Sequence, residues 1–280
     1  MCRHLAYLGP PIALARLLFE PAHGLVHQAW APRDMRGGGT INADGFGVGW
    51  FAGAEPAGSP AAQPVVELAA QPVGEPIDEP AAPQVAESVR YRRDCPIWAD
   101  PFLPELARTT TAPAVVAAVR SATAGMPLVA TACAPFTGDG WLFSLNGRIA
   151  GWPESVAALA RRLPVTDLLT MEAPVDSALL WALVRDRLRA GAGPVEAVAE
   201  TVAEVAAAAP GSRLNLLLAN PTTIIATTLT HALAVRSAAG SVLVSSEPLD
   251  DHPAWRPLPD GVLVVATVDG VDVTKMGDPR

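Results

Sequence analysis

The 280-residue chain has a single lysine, Lys275, and nothing ahead of it reads G-x-x-x-x-G-K. That excludes a P-loop and leaves a Schiff-base amine only in the tail. Cysteine is nearly as scarce. Cys2, Cys95 and Cys133 are too few and too scattered for a disulfide framework or a Cys-x-x-Cys zinc site, so a reducing, cytoplasmic setting is expected. Positive charge is short as well: 20 Lys+Arg against 28 Asp+Glu leave a net charge of −8. Without a basic face for a phosphate backbone, no nucleic-acid partner is expected. No apolar run is long enough to cross a bilayer, and the N-terminal stretch breaks at Pro10-Pro11 before a signal-peptide core could form. No membrane association is expected either.

What is present is apolar residue and proline. A hydrophobic content of 50% with 17% charged describes a soluble globular chain, read as one domain over 1–280. The 28 prolines are about twice the ~5% average, and they cluster. Between Ala52 and Pro83 lie seven of them with Glu55, Glu67, Glu75, Asp78 and Glu79 and no Lys or Arg. This stretch at about 52–83 reads as an acidic surface excursion, or a loose hairpin around Val65–Leu68.

The pattern on either side is regular. Cys2–Leu8 suits a buried strand, and Ile12–Phe19 is apolar at helical spacing with Pro11 at its start. Thr40–Phe51 alternates Phe46, Val48 and Trp50 with glycines, strand chemistry that admits close backbone approach. Ala114–Val119 and Trp141–Leu145 read as further strands. Helices are expected over Ser155–Arg162, Asp176–Arg189 and Val195–Ala209, punctuated by Pro194 and Pro210. After Gly211 come strands at Leu214–Ala219, Thr222–Leu229, Ala232–Arg236, Val242–Ser245, Val262–Val268 and Val271–Val273. Strands, helices and strands again predict a layered α+β fold rather than alternating βαβ units.

Cys2 follows the initiator methionine, which its small side chain should allow to be removed. The freed α-amino group has a pKa of about 7.7–8.0, low enough to act as a base beside its own thiol. Asn146-Gly147 is first of all a turn signal. A side-chain amide and the next backbone N–H can equally form an oxyanion hole, with glycine admitting the substrate. Arg120 ends an apolar strand, where burial is costly unless it meets a carboxylate. Asp176 and Ser177 open a helix; such residues are commonly N-caps, though Asp176 could instead bind an ammonium.

Six ordered segments carry a resemblance. Met-Cys-Arg at the start, Asn-Ala-Asp-Gly-Phe-Gly-Val-Gly-Trp at 42–50, Val-Arg-Ser-Ala-Thr at 119–123, Ala-Pro-Phe at 134–136, Trp-Leu-Phe-Ser-Leu-Asn-Gly at 141–147 and Asp-Ser at 176–177 resemble class II glutamine amidotransferases. That family implies an N-terminal-nucleophile hydrolase with a four-layer αββα sandwich. Ser245–Pro259 and Arg90–Trp98 further resemble its stand-alone branch, which hydrolyses γ-glutamyl hercynylcysteine sulfoxide in ergothioneine biosynthesis.

The resemblance implies Cys2 as nucleophile with its amine as proton shuttle, and Asn146 with the Gly147 amide as oxyanion hole. It implies Arg120 on the glutamyl α-carboxylate with Thr123 close by, and Asp176 on the α-ammonium. A small γ-glutamyl compound is then the partner, cleaved by amide hydrolysis. Three family features are missing. Ala118-Val119-Arg120 lacks a histidine found in synthetase-linked relatives, 132–136 lacks their asparagine and histidine, and 175–178 lacks their glutamate. A glutaminase subunit feeding ammonia to a separate synthetase, and a non-catalytic binding protein on the same fold, are the alternatives.

Other features have plainer readings. His23 and His27 are spaced i, i+4, but Gly24 stands where H-E-x-x-H needs its glutamate, so no metal site is expected. No cofactor is expected. Gly37-Gly38-Gly39 reads as a flexible loop over the site, with a lid role as the working hypothesis. Trp30, Trp50 and Trp98 are candidates for the aromatic face that a trimethylammonium end would need. The state of association, a homo-oligomer included, stays open.

Overall fold

In the computed structural model, which describes residues 2–36, 41–52 and 87–277, the chain forms two sheets of antiparallel strand pairs. The first holds β1 (Arg3–Ala13), β2 (Phe46–Phe51), β3 (Ser88–Arg93), β4 (Thr111–Val119), β9 (Ala234–Ala238), β10 (Ser241–Ser245) and β11 (Arg256–Pro257). Its order is β11-β9-β10-β1-β4-β2-β3. The second holds β5 (Phe136–Gly138), β6 (Trp141–Arg148), β7 (Arg213–Ala219), β8 (Ile224–Thr228), β12 (Val262–Ala266) and β13 (Val271–Lys275). Its order is β13-β12-β8-β7-β6-β5.

Side-chain alternation sorts these sheets into layers. On β1, Leu5 and Tyr7 join a core shared with α1 (Ala15–Leu18), α2 (Leu25–Trp30) and α3 (Leu103–Thr109). Ala6 and Leu8 face the other way, into an apolar seam with Leu217, Ala219, Ala226 and Val264 of the second sheet. That sheet turns Phe143, Leu145, Leu216 and Leu218 to α6 (Asp176–Arg189) and α7 (Pro194–Ala208). The result is the four-layer αββα sandwich, with two short helices, α4 (Ala157–Ala160) and α5 (Val165–Leu169), beside the second pair.

The expected strands and the two long helices are all found, but several ends move: β1 runs on to Ala13, β2 begins only at Phe46, and β4 and β6 are each three residues longer than expected. The helix expected over Ser155–Arg162 is a 3-10 turn at Glu154–Val156 followed by the short α4, Ala157–Ala160. The first expected helix differs as well. The helix expected from Ile12 begins only at Ala15, because β1 runs on to Ala13, pairing Ile12 with Ala112 and Ala13 with Thr111 after a register shift beyond Leu8. The exposed Pro10 and Pro11 sit in that shift, where the ladder needs no N–H donor. Helix α3 and strand β3 are additions. The buried Asp100 accepts from the Phe102 and Leu103 N–H groups and from the Tyr91 hydroxyl, joining the start of the helix to the strand. The acidic excursion beyond Ala52 and the three glycines at 37–39 lie outside the described residues.

The glycines of β2 answer to a close approach. The 133–135 segment lies directly on this strand: a Cβ at Gly47 would come within 2.2 Å of the Ala134 carbonyl oxygen, and one at Gly49 within 2.7 Å of Pro135 Cγ. Since the obstacle at Gly47 is backbone, Gly47→Ala should destabilise by about 1–3 kcal/mol. Gly270→Ala, with no heavy atom of the described residues within 4 Å of the added carbon, should stay within about 0.5 kcal/mol of the parent. Denaturant unfolding of the two variants side by side checks this, and equal midpoints would contradict the close packing.

Candidate active site

β1 is the middle strand of its sheet, hydrogen-bonded to β10 on one side and β4 on the other. The residue just before it is therefore held rather than left to fray. Arg3 pairs with Val119, which sets Cys2 beside Arg120 at the next step. The Cys2 thiol is half-buried and lies 3.8 Å from the Ser121 carbonyl oxygen. It opens on a cavity that Arg120, Thr123, Gly147 and Asp176 also line.

Each of these residues is fixed by its own segment. The Asn42–Phe51 motif holds the Arg120 turn: Asp44 N–H donates to the Arg120 carbonyl at 3.0 Å, and Arg120 N–H donates to the Gly45 carbonyl at 2.8 Å. Asp44 Oδ2 also accepts from Ala122 N–H at 2.8 Å. The Arg120 guanidinium, 9% exposed, donates to the Pro127 carbonyl at 2.9 Å, so most of its donors remain for a ligand. Thr123 stands exposed at the rim.

Asp176 is the first residue of α6 and is buried. Its Oδ2 accepts from Ile149 N–H at 3.0 Å and its Oδ1 from Ser177 N–H at 2.8 Å. Burial pushes its carboxyl up, opposed by those two N–H groups and by the positive charge of Arg120. An incoming cation would relieve that cost.

Gly147 lines the cavity and could carry no side chain, since a Cβ there would fall 1.8 Å from the Arg213 carbonyl oxygen of the neighbouring strand. Asn146, 1% exposed, is not on the cavity wall. Its Nδ2 donates to Ser246 Oγ at 3.2 Å, and its Oδ1 has no partner among the described residues.

None of the three tryptophans expected at an aromatic subsite lines this cavity. Trp50 alternates with Gly49 and Phe51, which places it with Phe46 and Val48 in the helix-side core. Trp30 is exposed at the end of α2, edge-on to His27 with ring centroids 4.5 Å apart. Trp98 is exposed in the turn Ile97–Ala99.

Four residues given no role from the sequence form hydrogen bonds around the start of β1. Glu247, just beyond β10, is buried together with Arg3 and His23. Its Oε1 accepts from Arg3 Nε at 2.8 Å and from Asp34 N–H at 3.1 Å, and its Oε2 from His23 Nε2 at 2.6 Å and Arg33 N–H at 2.8 Å. Arg3 Nη1 in turn donates to the Cys2 carbonyl at 3.1 Å. Burial alone would raise the Glu247 carboxyl, but His23, the two N–H groups and Arg3 hold it down at about 2. Ser246, the fourth, accepts from His4 N–H at 3.0 Å as well as from Asn146. The one sequence signal for the ion pair was an acidic residue directly after a buried apolar strand.

His23 and His27, proposed above as a plain pair, face each other Nδ1 to Nδ1 at 2.9 Å, and His23 spends its other nitrogen on Glu247. Among the described residues there is no group of three or more His, Cys, Asp or Glu placed to hold a metal ion. No helix among them is long and apolar enough to cross a membrane.

No family model matches the chain. It is similar to gamma-glutamyl-hercynylcysteine sulfoxide hydrolase of Mycobacterium tuberculosis, 34% identical over 278 residues, covering 99% of this chain and 97% of that protein. The protein of the same name from Mycolicibacterium smegmatis is 37% identical over 264 residues, covering 94% and 95%. Among solved structures, a glutamine aminotransferase class-II domain protein from Silicibacter pomeroyi superposes with a TM-score of 0.60 at 20% identity, over 99% of this chain and 100% of that one. Glutamine phosphoribosylpyrophosphate amidotransferase from B. subtilis gives 0.60 at 12% identity, over 99% of this chain and 50% of that one. The structural likeness is one of fold.

Two buried histidines beside the site make stability depend on pH. Burial, reinforced by nearby positive charge, lowers His4 to about 3 and His231 to about 4, from the ordinary 6.5. The unfolded chain therefore binds more protons in between, and stability is lost as pH falls from 6.5 towards those values. Glu247, depressed from 4.5 to about 2, adds a loss that begins below 4.5. Melting temperature followed from pH 8 to pH 4 should decline from about pH 6.5 downward, and His231→Gln should shallow that decline. An unchanged slope in the variant would contradict a buried neutral His231.

Proposed function

We propose, from the premise that the chain belongs to the family of gamma-glutamyl-hercynylcysteine sulfoxide hydrolases, that it hydrolyses γ-glutamyl hercynylcysteine sulfoxide through a thioester on Cys2. The products are glutamate and hercynylcysteine sulfoxide, the step belongs to ergothioneine biosynthesis, and residues 1–280 act as one amidohydrolase domain. Its setting is the reducing cytoplasm, which suits a free thiol nucleophile. The observation that carries the reading is the convergence of Cys2, Arg120, Gly147 and Asp176 on one cavity from four separate segments. A γ-glutamyl group offers one carboxylate, one ammonium and one scissile carbonyl, and each finds a partner of matching chemistry there.

The steps follow from those partners. Removal of Met1 frees the Cys2 amine, which takes the thiol proton near neutral pH. The thiolate attacks the γ-carbonyl carbon, and the negative oxygen is received by the Asn146 amide and the Gly147 N–H. As the C–N bond breaks, the ammonium of Cys2 returns its proton to the leaving amine. A water then gives a proton to the same amine and attacks the thioester, and breaking the C–S bond releases glutamate. Arg120 grips the α-carboxylate as a planar fork, Thr123 closes the rim beside it, and Asp176 takes the α-ammonium.

Cys2→Ala should keep the parent melting temperature and lower kcat/KM by at least about a thousandfold. Substantial residual hydrolysis would overturn the assignment. Arg120→Ala should raise KM on the order of 100-fold for amides with a free glutamyl α-carboxylate and far less for their α-esters. Equal losses on both would count against the clamp. Intact-mass measurement of the active enzyme should find Met1 absent.

A further inference from the structure

The end of β10 holds a hydroxyl that touches both halves of the proposed machinery. Ser246, 2% exposed, lies one residue past the last β1–β10 pair, Leu5 with Ser245. Its N–H donates to the His4 carbonyl at 2.9 Å, and its Oγ accepts the His4 N–H at 3.0 Å. The same Oγ accepts from Asn146 Nδ2 at 3.2 Å. One side chain thus joins the strand that carries Cys2 to the amide assigned to the oxyanion, across the seam between the sheets.

A buried primary amide can turn end for end with little steric change, so its orientation is set by its hydrogen bonds. With Nδ2 held by Ser246, the second hydrogen of that nitrogen remains to donate elsewhere. Oδ1 is left buried without a partner among the described residues, a costly arrangement for the sake of packing alone. We propose that Ser246 is a positioning residue that ties the Asn146 side chain to the Cys2 strand and holds it in register with that strand. This rests on the thioester reading above.

The test uses the purified enzyme with Met1 removed, and the variants Ser246→Ala, Asn146→Ala and the double variant. Ser246→Ala should lower kcat by about tenfold or more, since loss of an oxyanion donor outright costs about 100-fold or more. KM should stay within about twofold, and the change should add less than about threefold in the Asn146→Ala background, as expected for residues acting as a unit. The rate at which iodoacetamide alkylates Cys2, followed by mass spectrometry, should be unchanged, because that displacement needs the thiolate and no oxyanion hole. A wild-type kcat in Ser246→Ala, or an equal loss in the presence and absence of Asn146, would overturn the positioning role. Failure of the underlying reading looks different: wild-type enzyme alkylated at Cys2 would keep turning over, or Asn146→Ala would be silent.

Discussion

The buried carboxylate of Glu247 is the constraint on which the rest of the site depends. It ties β1 through Arg3, the start of α2 through His23, the 33–34 loop through two backbone N–H groups, and the end of β10 on which it stands. Taking two charges out of water is expensive, and their attraction repays it only when every remaining donor and acceptor is satisfied. Here Arg3 spends its other nitrogens on the Cys2 and Asp34 carbonyls, so the guanidinium is held from several sides. Loss of either partner would strand an uncompensated buried charge next to Cys2. The pair is thus a device for location more than for net stability.

Location matters because a residue at the start of a chain begins from its least ordered part. Placing β1 in the middle of a seven-stranded sheet gives Cys2 a neighbour on both sides, and the ion pair fixes the peptide that follows it. Arg120 arrives at the end of the adjacent strand, Asp176 at the start of a long buried helix, and Gly147 from the facing sheet. Groups held this way need little reorganisation when charge develops on the substrate, which is the main source of rate in such sites. The glycines of β2 serve the same end by letting the 133–135 segment lie against the strand beside the cavity.

Much of this was legible in the sequence, because the signals were local. Apolar runs and, in β2, period-two alternation marked the strands, Pro194 and Pro210 bounded α7, and Asp176 opened α6 where it was expected. Where local signals competed, tertiary pairing decided. Ile12 and Ala13 have helical spacing but extend β1, since β4 offers them ladder partners. The tryptophans were misplaced because composition says nothing about which face of a strand or turn a ring occupies. Trp50 follows the alternation of β2 away from the cavity.

The sequence by itself determined the chemistry on hand: a thiol at the second position, an Asn-Gly pair at a strand end, one arginine after an apolar strand and one aspartate at a helix start, with the single lysine, Lys275, confined to the tail. It also determined the layered α+β class, because alternation and helical periodicity are properties of neighbouring residues. Only the tertiary structure decided that Cys2, Arg120, Gly147 and Asp176 share one cavity, that Asn146 is anchored by Ser246, and that Arg3 meets Glu247 across 244 positions. Those are pairings between distant segments. They are set by strand register and by the demand that buried charge be matched, and neither is written in any short stretch of the chain.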